Sequence, residues 1–246
     1  MKPVILFEDA SLIVIDKPAG MVVNRAETVK EETVQDWMDK RIKKQELRIE
    51  NGERDASEKE FWNRSGMVHR LDKETSGVLL LAKTPAAFQH LKSQFQNRRI
   101  GKQYLALVHG RLEPKVGTIR LPLSRNPKNR RRFTVRLGGR PAETAYAVKE
   151  YRHKEAWEFT LVEVMPQTGR THQIRVHFQF VKHPLVADPL YLSVKQLKRD
   201  RIWCSRLFLH AQKLVFSHPE SGQRITVEAA LPQDLSQALG LLAPIF

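Results

Sequence analysis

The chain has 246 residues, 41% of them hydrophobic, enough for one large core or two small ones. Its 42 Lys and Arg outweigh 27 Asp and Glu, and a formal net charge of +15 points to a polyanionic partner, most often a nucleic acid. One cysteine, Cys204, excludes an internal disulfide and a Cys-based zinc cluster; without a cleavable apolar leader or a run of about eighteen apolar residues, a cytoplasmic protein without membrane contact is expected.

Ser11-Leu-Ile-Val-Ile15 is short and β-branched, which predicts a buried strand, and Lys17-Pro-Ala-Gly20 ends it in a turn. Val34, Trp37, Met38 and Ile42 have helical spacing, which predicts a helix over 33–47. Residues 40–62 read as a charged mobile insertion, with the Gly-containing run 50–59 as its loop. A strand over 77–83 follows, then Thr84 as N-cap and Pro85 as first residue of a helix that buries Phe88, Leu91 and Phe95. Strands are predicted over 102–109, 144–151 and 158–164. Thr171 is the expected cap of a helix through Phe180, with Ile174, Phe178 and Val181 facing inward. A hairpin over 208–216 and 224–229 and a short terminal helix over 233–242 complete the chain. Strands outnumber helices and the links are short, so an α+β fold on a sheet core is expected.

The strongest chemical signal lies between Met67 and Lys83. Arg70 and Asp72 stand two residues apart, ahead of a small polar turn of Thr75, Ser76 and Gly77. A carboxylate near a guanidinium stays ionised, and in a basic protein it can serve as nucleophile or base on a nucleic acid. Taken alone, an Arg-x-Asp is more often a surface ion pair. The densest basic run, 125–133, includes Arg130, Arg131 and Arg132; Pro and Asn make it a loop within 124–141, with Gly138-Gly139 as a hairpin end. His69, His172 and His177 lack an HExxH pattern or a cysteine partner, so no metal is expected.

Residues 69–77, His-Arg-Leu-Asp-Lys-Glu-Thr-Ser-Gly, resemble the signature of the RluA-type pseudouridine synthases. Four other stretches resemble that family in the same order: 7–20, 102–110, 168–177, and Leu209-His-Ala211 with Phe216-Ser-His-Pro219. The resemblance implies a mixed, largely antiparallel sheet with flanking helices and an RNA-binding cleft. It implies isomerisation of uridines in ribosomal or transfer RNA. The net change is an isomerisation, so no cofactor is expected. Because the opening motif starts at Phe7, a single-domain form without the extra N-terminal RNA-binding domain of some members is expected, acting as a monomer.

The same resemblance makes Asp72 the catalytic residue. Whether it attacks the sugar, adds to the base or removes a ribose proton stays open; each role needs the ionised form. Tyr104 is implied to stack on the uracil and help a proton leave C5. Arg175, after His-Gln-Ile, is the favoured partner of Asp72; Arg170 is the competitor and could instead meet phosphate. Arg70 is implied to help extrude the target uridine. His69 and His172 read as backbone anchors near the site before proton carriers. Arg130, Arg131 and Arg132 are read as a phosphate clamp. Val22-Val-Asn24 and Ala187 to Leu192 depart from the family pattern, and neither is expected to touch the chemistry. The alternative is a non-catalytic RNA-binding or ribosome-assembly module on the same fold. A metal-dependent nuclease ranks last, because one acid alone stands out near the motifs.

Overall fold

Asp9 shapes the first turn: its Oδ1 accepts the N–H groups of Ser11 and Leu12 at 2.8 and 2.9 Å. That turn joins β1 (Val4–Glu8) and β2 (Leu12–Lys17) in the computed structural model, which describes residues 2–27, 29–46 and 55–245. α1 (Val34–Glu46) opens with a reciprocal cap, in which Thr33 and Asp36 exchange side chain-to-backbone hydrogen bonds. Val34, Met38 and Ile42, one turn apart, are buried. α2 (Ala56–Asn63) is capped by Asp55, which accepts from Ser57 and Glu58, and it buries Phe61. Of the insertion expected over 40–62, residues 40–46 thus end α1 and residues 56–62 lie in α2. Residues 47–54 lie outside the described residues.

β3 (Ser76–Ala82) is wholly buried and pairs antiparallel with β2, from Leu12 opposite Ala82 to Lys17 opposite Gly77. Thr84 accepts from the Ala87 N–H and Pro85 opens α3 (Pro85–Gln96), as expected. Phe88 and Leu91 are buried, and Phe95 is half-buried.

β4 (Gly101–His109), β5 (Val116–Arg120), β6 (Leu123–Arg125) and β7 (Phe133–Val135) come next, then the long hairpin of β8 (Glu143–Lys154) and β9 (Trp157–Pro166). β9 pairs β4 on one side and β8 on the other, and β8 also pairs β5. β6 and β7 form a separate hairpin, so its tip is 126–132 and not Gly138-Gly139. Those glycines instead turn the chain back onto β6: the Arg140 N–H donates to the Leu123 carbonyl at 2.8 Å. A Cβ on Gly139 would sit 2.8 Å from that carbonyl, so the close approach requires glycine.

α4 (Gln173–Phe180) buries Ile174 and Phe178 among Val162, Val164 and Tyr146. Its N-cap is His172 in the left-handed region (φ 55°), without a side-chain cap bond, which corrects the expectation of Thr171. α5 (Val194–Asp200), β10 (Leu209–Ser217), β11 (Arg224–Glu228), α6 (Gln233–Gly240) and β12 (Ala243–Ile245) follow, and β12 pairs β8. β1 and β12 are strands without a sequence expectation; β12 is three residues long and β1 is largely exposed, so neither shows a buried run.

The α+β class holds, with six helices and mostly antiparallel strands among the described residues. The chain divides into two compact units. One takes 1–101 and 213–229; the other takes 102–212 and 230–246. β10 contributes to both, its first four residues to the second unit and the rest to the first. Within the first unit, β10 pairs β11, Gln94 bonds the Ser217 backbone, and His218 meets Asp9 at 2.7 Å.

His177 gives the second unit a pH dependence. It is fully buried, its Nε2 is 3.0 Å from the Leu121 carbonyl and its Nδ1 is 2.9 Å from the Thr144 hydroxyl. Burial pushes the imidazole below its ordinary 6.5, against an upward pull from that carbonyl. The unfolded ring gains a proton as pH falls through 6.5 while the folded ring does not. The unfolded state then binds more protons, so this stabilisation is complete above pH 6.5 and is lost below it. A thermal midpoint followed from about pH 7.5 down to about 5.5 should fall. His177→Gln should flatten that limb; an unchanged slope would remove His177 as its source.

Candidate active site

Asp72 sits on an irregular segment between the isolated bridge at Met67 and the turn before β3. Val68 and Leu71 are buried, Arg70 is exposed and Asp72 is half-buried, so the apolar residues pin the segment while the ionisable ones stay accessible. Behind it the Thr75 N–H donates to the Asp72 carbonyl at 3.1 Å and closes a turn over Lys73 and Glu74. The Lys73 carbonyl accepts from the Gly20 N–H at 2.8 Å and from Lys17 Nζ at 3.2 Å. Lys17 is fully buried, and its ammonium also donates to the carbonyls of Pro18 (2.8 Å) and Met21 (2.9 Å). A buried ammonium is tolerated when its N–H groups find acceptors. Here the three carbonyls tie the turn after β2 to the turn that carries Asp72.

His69 is half-buried and acts as an anchor. The Leu80 N–H donates to its Nε2 at 2.9 Å, and the ring stacks on Phe95 with centroids 4.6 Å apart. A nitrogen that accepts a backbone N–H carries no proton of its own, so Nε2 is a poor proton donor.

In the second unit Tyr104 lies on β4 opposite Val164, half-buried against the core. Arg175 projects from α4 and is 3% exposed. Its Nε and Nη2 donate to the two carboxylate oxygens of Asp188 at 2.8 and 2.7 Å, and Asp188 is fully buried. Asp188 Oδ1 also accepts from the N–H groups of Leu190 and Tyr191, and the Tyr191 ring lies 5.1 Å under the Arg175 guanidinium. Asp188 and Tyr191, in the stretch 187–192 that departs from the family pattern, thus both touch Arg175.

Gln173, beside it in the same motif, is buried and uses both ends of its amide. Nε2 donates to the Glu143 carbonyl and the Thr144 hydroxyl at 2.9 and 3.0 Å. Oε1 accepts from the Thr168 hydroxyl and the Arg170 N–H at 2.7 and 3.0 Å. One side chain therefore holds the 168–170 loop to the start of β8. Arg170 itself is half-buried and donates from Nε to the Pro141 carbonyl at 3.2 Å.

The basic run is an ordered hairpin tip. Asn126 Oδ1 accepts from the N–H groups of Lys128 and Asn129, and the Asn126 N–H donates to the Arg132 carbonyl. Arg130 and Arg131 are exposed; Arg132 is half-buried with its guanidinium 5.2 Å from the Tyr191 ring centre. The Tyr191 hydroxyl accepts from the Phe133 N–H at 2.9 Å and lies 2.9 Å from His172 Nδ1. Tyr191 thus joins the hairpin, His172 and Arg175.

The sequence-predicted residues divide cleanly, with His69, Arg70 and Asp72 in the first unit and Tyr104, Arg130, Arg131, Arg132, Arg170 and Arg175 in the second. Four partners escaped sequence reasoning: Lys17, Gln173, Asp188 and Tyr191. Lys17 and Gln173 stand inside the motif stretches, so closer attention to those stretches could have found them.

A half-buried carboxylate on a clamped turn, beside an exposed arginine in a strongly basic chain, suits polar chemistry on a nucleotide. Comparison with known proteins defines the class. Residues 11–180 match the family model described as RNA pseudouridylate synthase. The chain belongs to that family, whose enzymes are isomerases that convert uridine in RNA to pseudouridine. It is 40% identical over 238 residues to the ribosomal large subunit pseudouridine synthase D of Nitrosomonas europaea, covering 96% of this chain and 64% of that protein. It is 37% identical over 235 residues to the uncharacterised RNA pseudouridine synthase YlyB of Bacillus subtilis, covering 96% and 71%. The chain therefore spans about two thirds of the length of these relatives. Among solved structures, human RNA pseudouridylate synthase domain containing 1 superposes with a TM-score of 0.73 at 26% identity, covering 99% of this chain and 89% of that one.

Proposed function

We propose that the chain isomerises uridine in RNA, with Asp72 as the catalytic carboxylate. The observation that carries this reading is the turn of Asp72, accessible and yet tied through Lys73 to the buried Lys17 ammonium. Tyr104 is proposed to stack on the uracil and Arg175 to be the cation that favours an ionised Asp72. Arg70 is proposed to help displace the target base, while Arg130 and Arg131 meet phosphates. Ribosomal RNA of the large subunit is the first substrate to test, since relatives carry that name.

The test is to incubate purified protein with total RNA from cells lacking it and to map new pseudouridines by chemical labelling and reverse-transcription stops. Stops that depend on Asp72 support the reading and name the substrate. Tight RNA binding without stops, on intact unmodified RNA, favours the non-catalytic module instead.

Lys17 is proposed as a positioning residue. Lys17→Met removes the donor shared by the Pro18, Met21 and Lys73 carbonyls, so the Asp72 turn should drift. A displacement of about 1 Å costs about 100-fold in turnover. The expected signature is a fall in kcat at nearly unchanged RNA affinity; lost stability with kcat intact would assign Lys17 to the fold alone.

A further inference from the structure

A cleft of about 480 Å³ lies wholly within the second unit, between the β6–β7 hairpin, the Gly138-Gly139 turn and the loop 169–171. Among the residues that line it are Ser124, Arg125, Phe133, Gly139, Arg140 and Arg170. Three arginines and no acidic residue line it. Glycines form part of the wall, so backbone can approach an occupant closely. Phe133 is half-buried, with His172 edge-on to its ring and Arg125 over it at 5.4 Å. Ser124 Oγ is shut off from solvent and has no hydrogen-bond partner among the described residues. An orphaned buried hydroxyl costs free energy in a folded protein and is expected to meet a partner when the site is in use. Ser124 is itself one of the residues that line the cleft. Leu137, next in the chain to the lining residue Gly138, is 94% exposed.

We propose that this cleft binds one unstacked nucleotide of the RNA, separate from the target uridine. The guanidiniums of Arg125, Arg140 and Arg170 take its phosphate, and the Ser124 hydroxyl bonds a phosphate or ribose oxygen. Phe133 supplies a stacking face for the base, and Leu137 packs against the neighbouring base or sugar. The volume is within the range of small-ligand pockets and admits a single nucleotide, not a duplex. Aromatic stacking beside guanidiniums is the usual chemistry for splayed single-stranded nucleotides. The inference rests on the RNA-isomerase reading for the polymer and adds a second contact, one that selects RNA with a free nucleotide near the target.

The test is equilibrium binding of fluorescein-labelled single-stranded oligouridylate, and of the same oligomer with its bases removed, at one ionic strength. Arg140→Gln and Arg130→Gln each remove one positive charge, but Arg140 alone lines the cleft. Arg140→Gln should weaken both oligomers about 10-fold and Arg130→Gln about 2-fold. Phe133→Leu should weaken the oligouridylate about 10-fold and leave the base-free oligomer unchanged. Equal losses for the two arginine variants, or a Phe133→Leu effect that does not depend on the base, would overturn the proposal. Should Phe133→Leu disturb the fold, seen as a lowered thermal midpoint, the arginine pair still decides. The readout needs no turnover. A pocket result against the proposal leaves Asp72-dependent pseudouridine mapping standing, and failure of that mapping leaves the binding comparison standing.

Discussion

Asp72→Asn is expected to abolish pseudouridine formation while leaving the fold and the RNA affinity near those of the parent chain. The carboxamide has almost the same shape as the carboxylate, and the turn behind Asp72 is closed through its backbone carbonyl, which the substitution keeps. An amide is neutral, cannot attack a sugar or a base, and cannot take up a proton near neutral pH. Isomerisation also exchanges the hydrogen on uracil C5 for a carbon bond, so RNA tritiated at C5 releases tritium in step with turnover. Tritium release should fall by about 10⁴-fold or more in the variant. Release within about tenfold of the parent, from a variant shown to be folded, would falsify the assignment of Asp72.

Asp188→Asn carries the largest expected effect on stability. Arg175 and Asp188 are 3% and 0% exposed and share a bidentate contact. Replacing the carboxylate with an amide removes one charge of a desolvated pair and leaves the guanidinium facing a weaker acceptor. Breaking one partner of such a pair costs about 3–5 kcal/mol, far beyond the fraction of a kcal/mol of an exposed ion pair. The N–H groups of Leu190 and Tyr191 lose their ionic acceptor as well. The loss should appear as a lower denaturant midpoint at constant slope. Adding Arg175→Met should recover part of it, because a matched apolar replacement leaves no buried charge. A single variant as stable as the parent would show that the pair contributes little to the fold.

Much of the second prediction was invisible in the sequence. Asp72 stood out as a candidate because its signal is local: a motif and a turn share residues 69–77 and an apolar run follows directly to Ala82. The helix after Thr84 was legible for the same reason, since a Ser/Thr cap with a following proline acts through neighbours. Lys17 was not. Lysine is almost never fully buried, so a lysine ending an apolar strand reads as a solvated tip until its three carbonyl acceptors are seen. Asp188 and Tyr191 lie thirteen and sixteen residues past Arg175, across a chain reversal that no periodicity marks. Residues 40–62 have the composition of a disordered segment, yet Ile42 and Phe61 are buried there, on α1 and α2.

The shared strand β10 has a consequence for how the protein is made. A chain emerging from the ribosome at about 5–20 residues per second presents Asp72 early. The first unit nevertheless lacks residues 213–229 until residues 102–212 of the second unit have been synthesised. Until then the β10–β11 pair cannot form, and Asp9 and Gln94 wait for His218 and Ser217. The unit that carries Asp72 is thus completed only after the basic hairpin of the second unit has emerged.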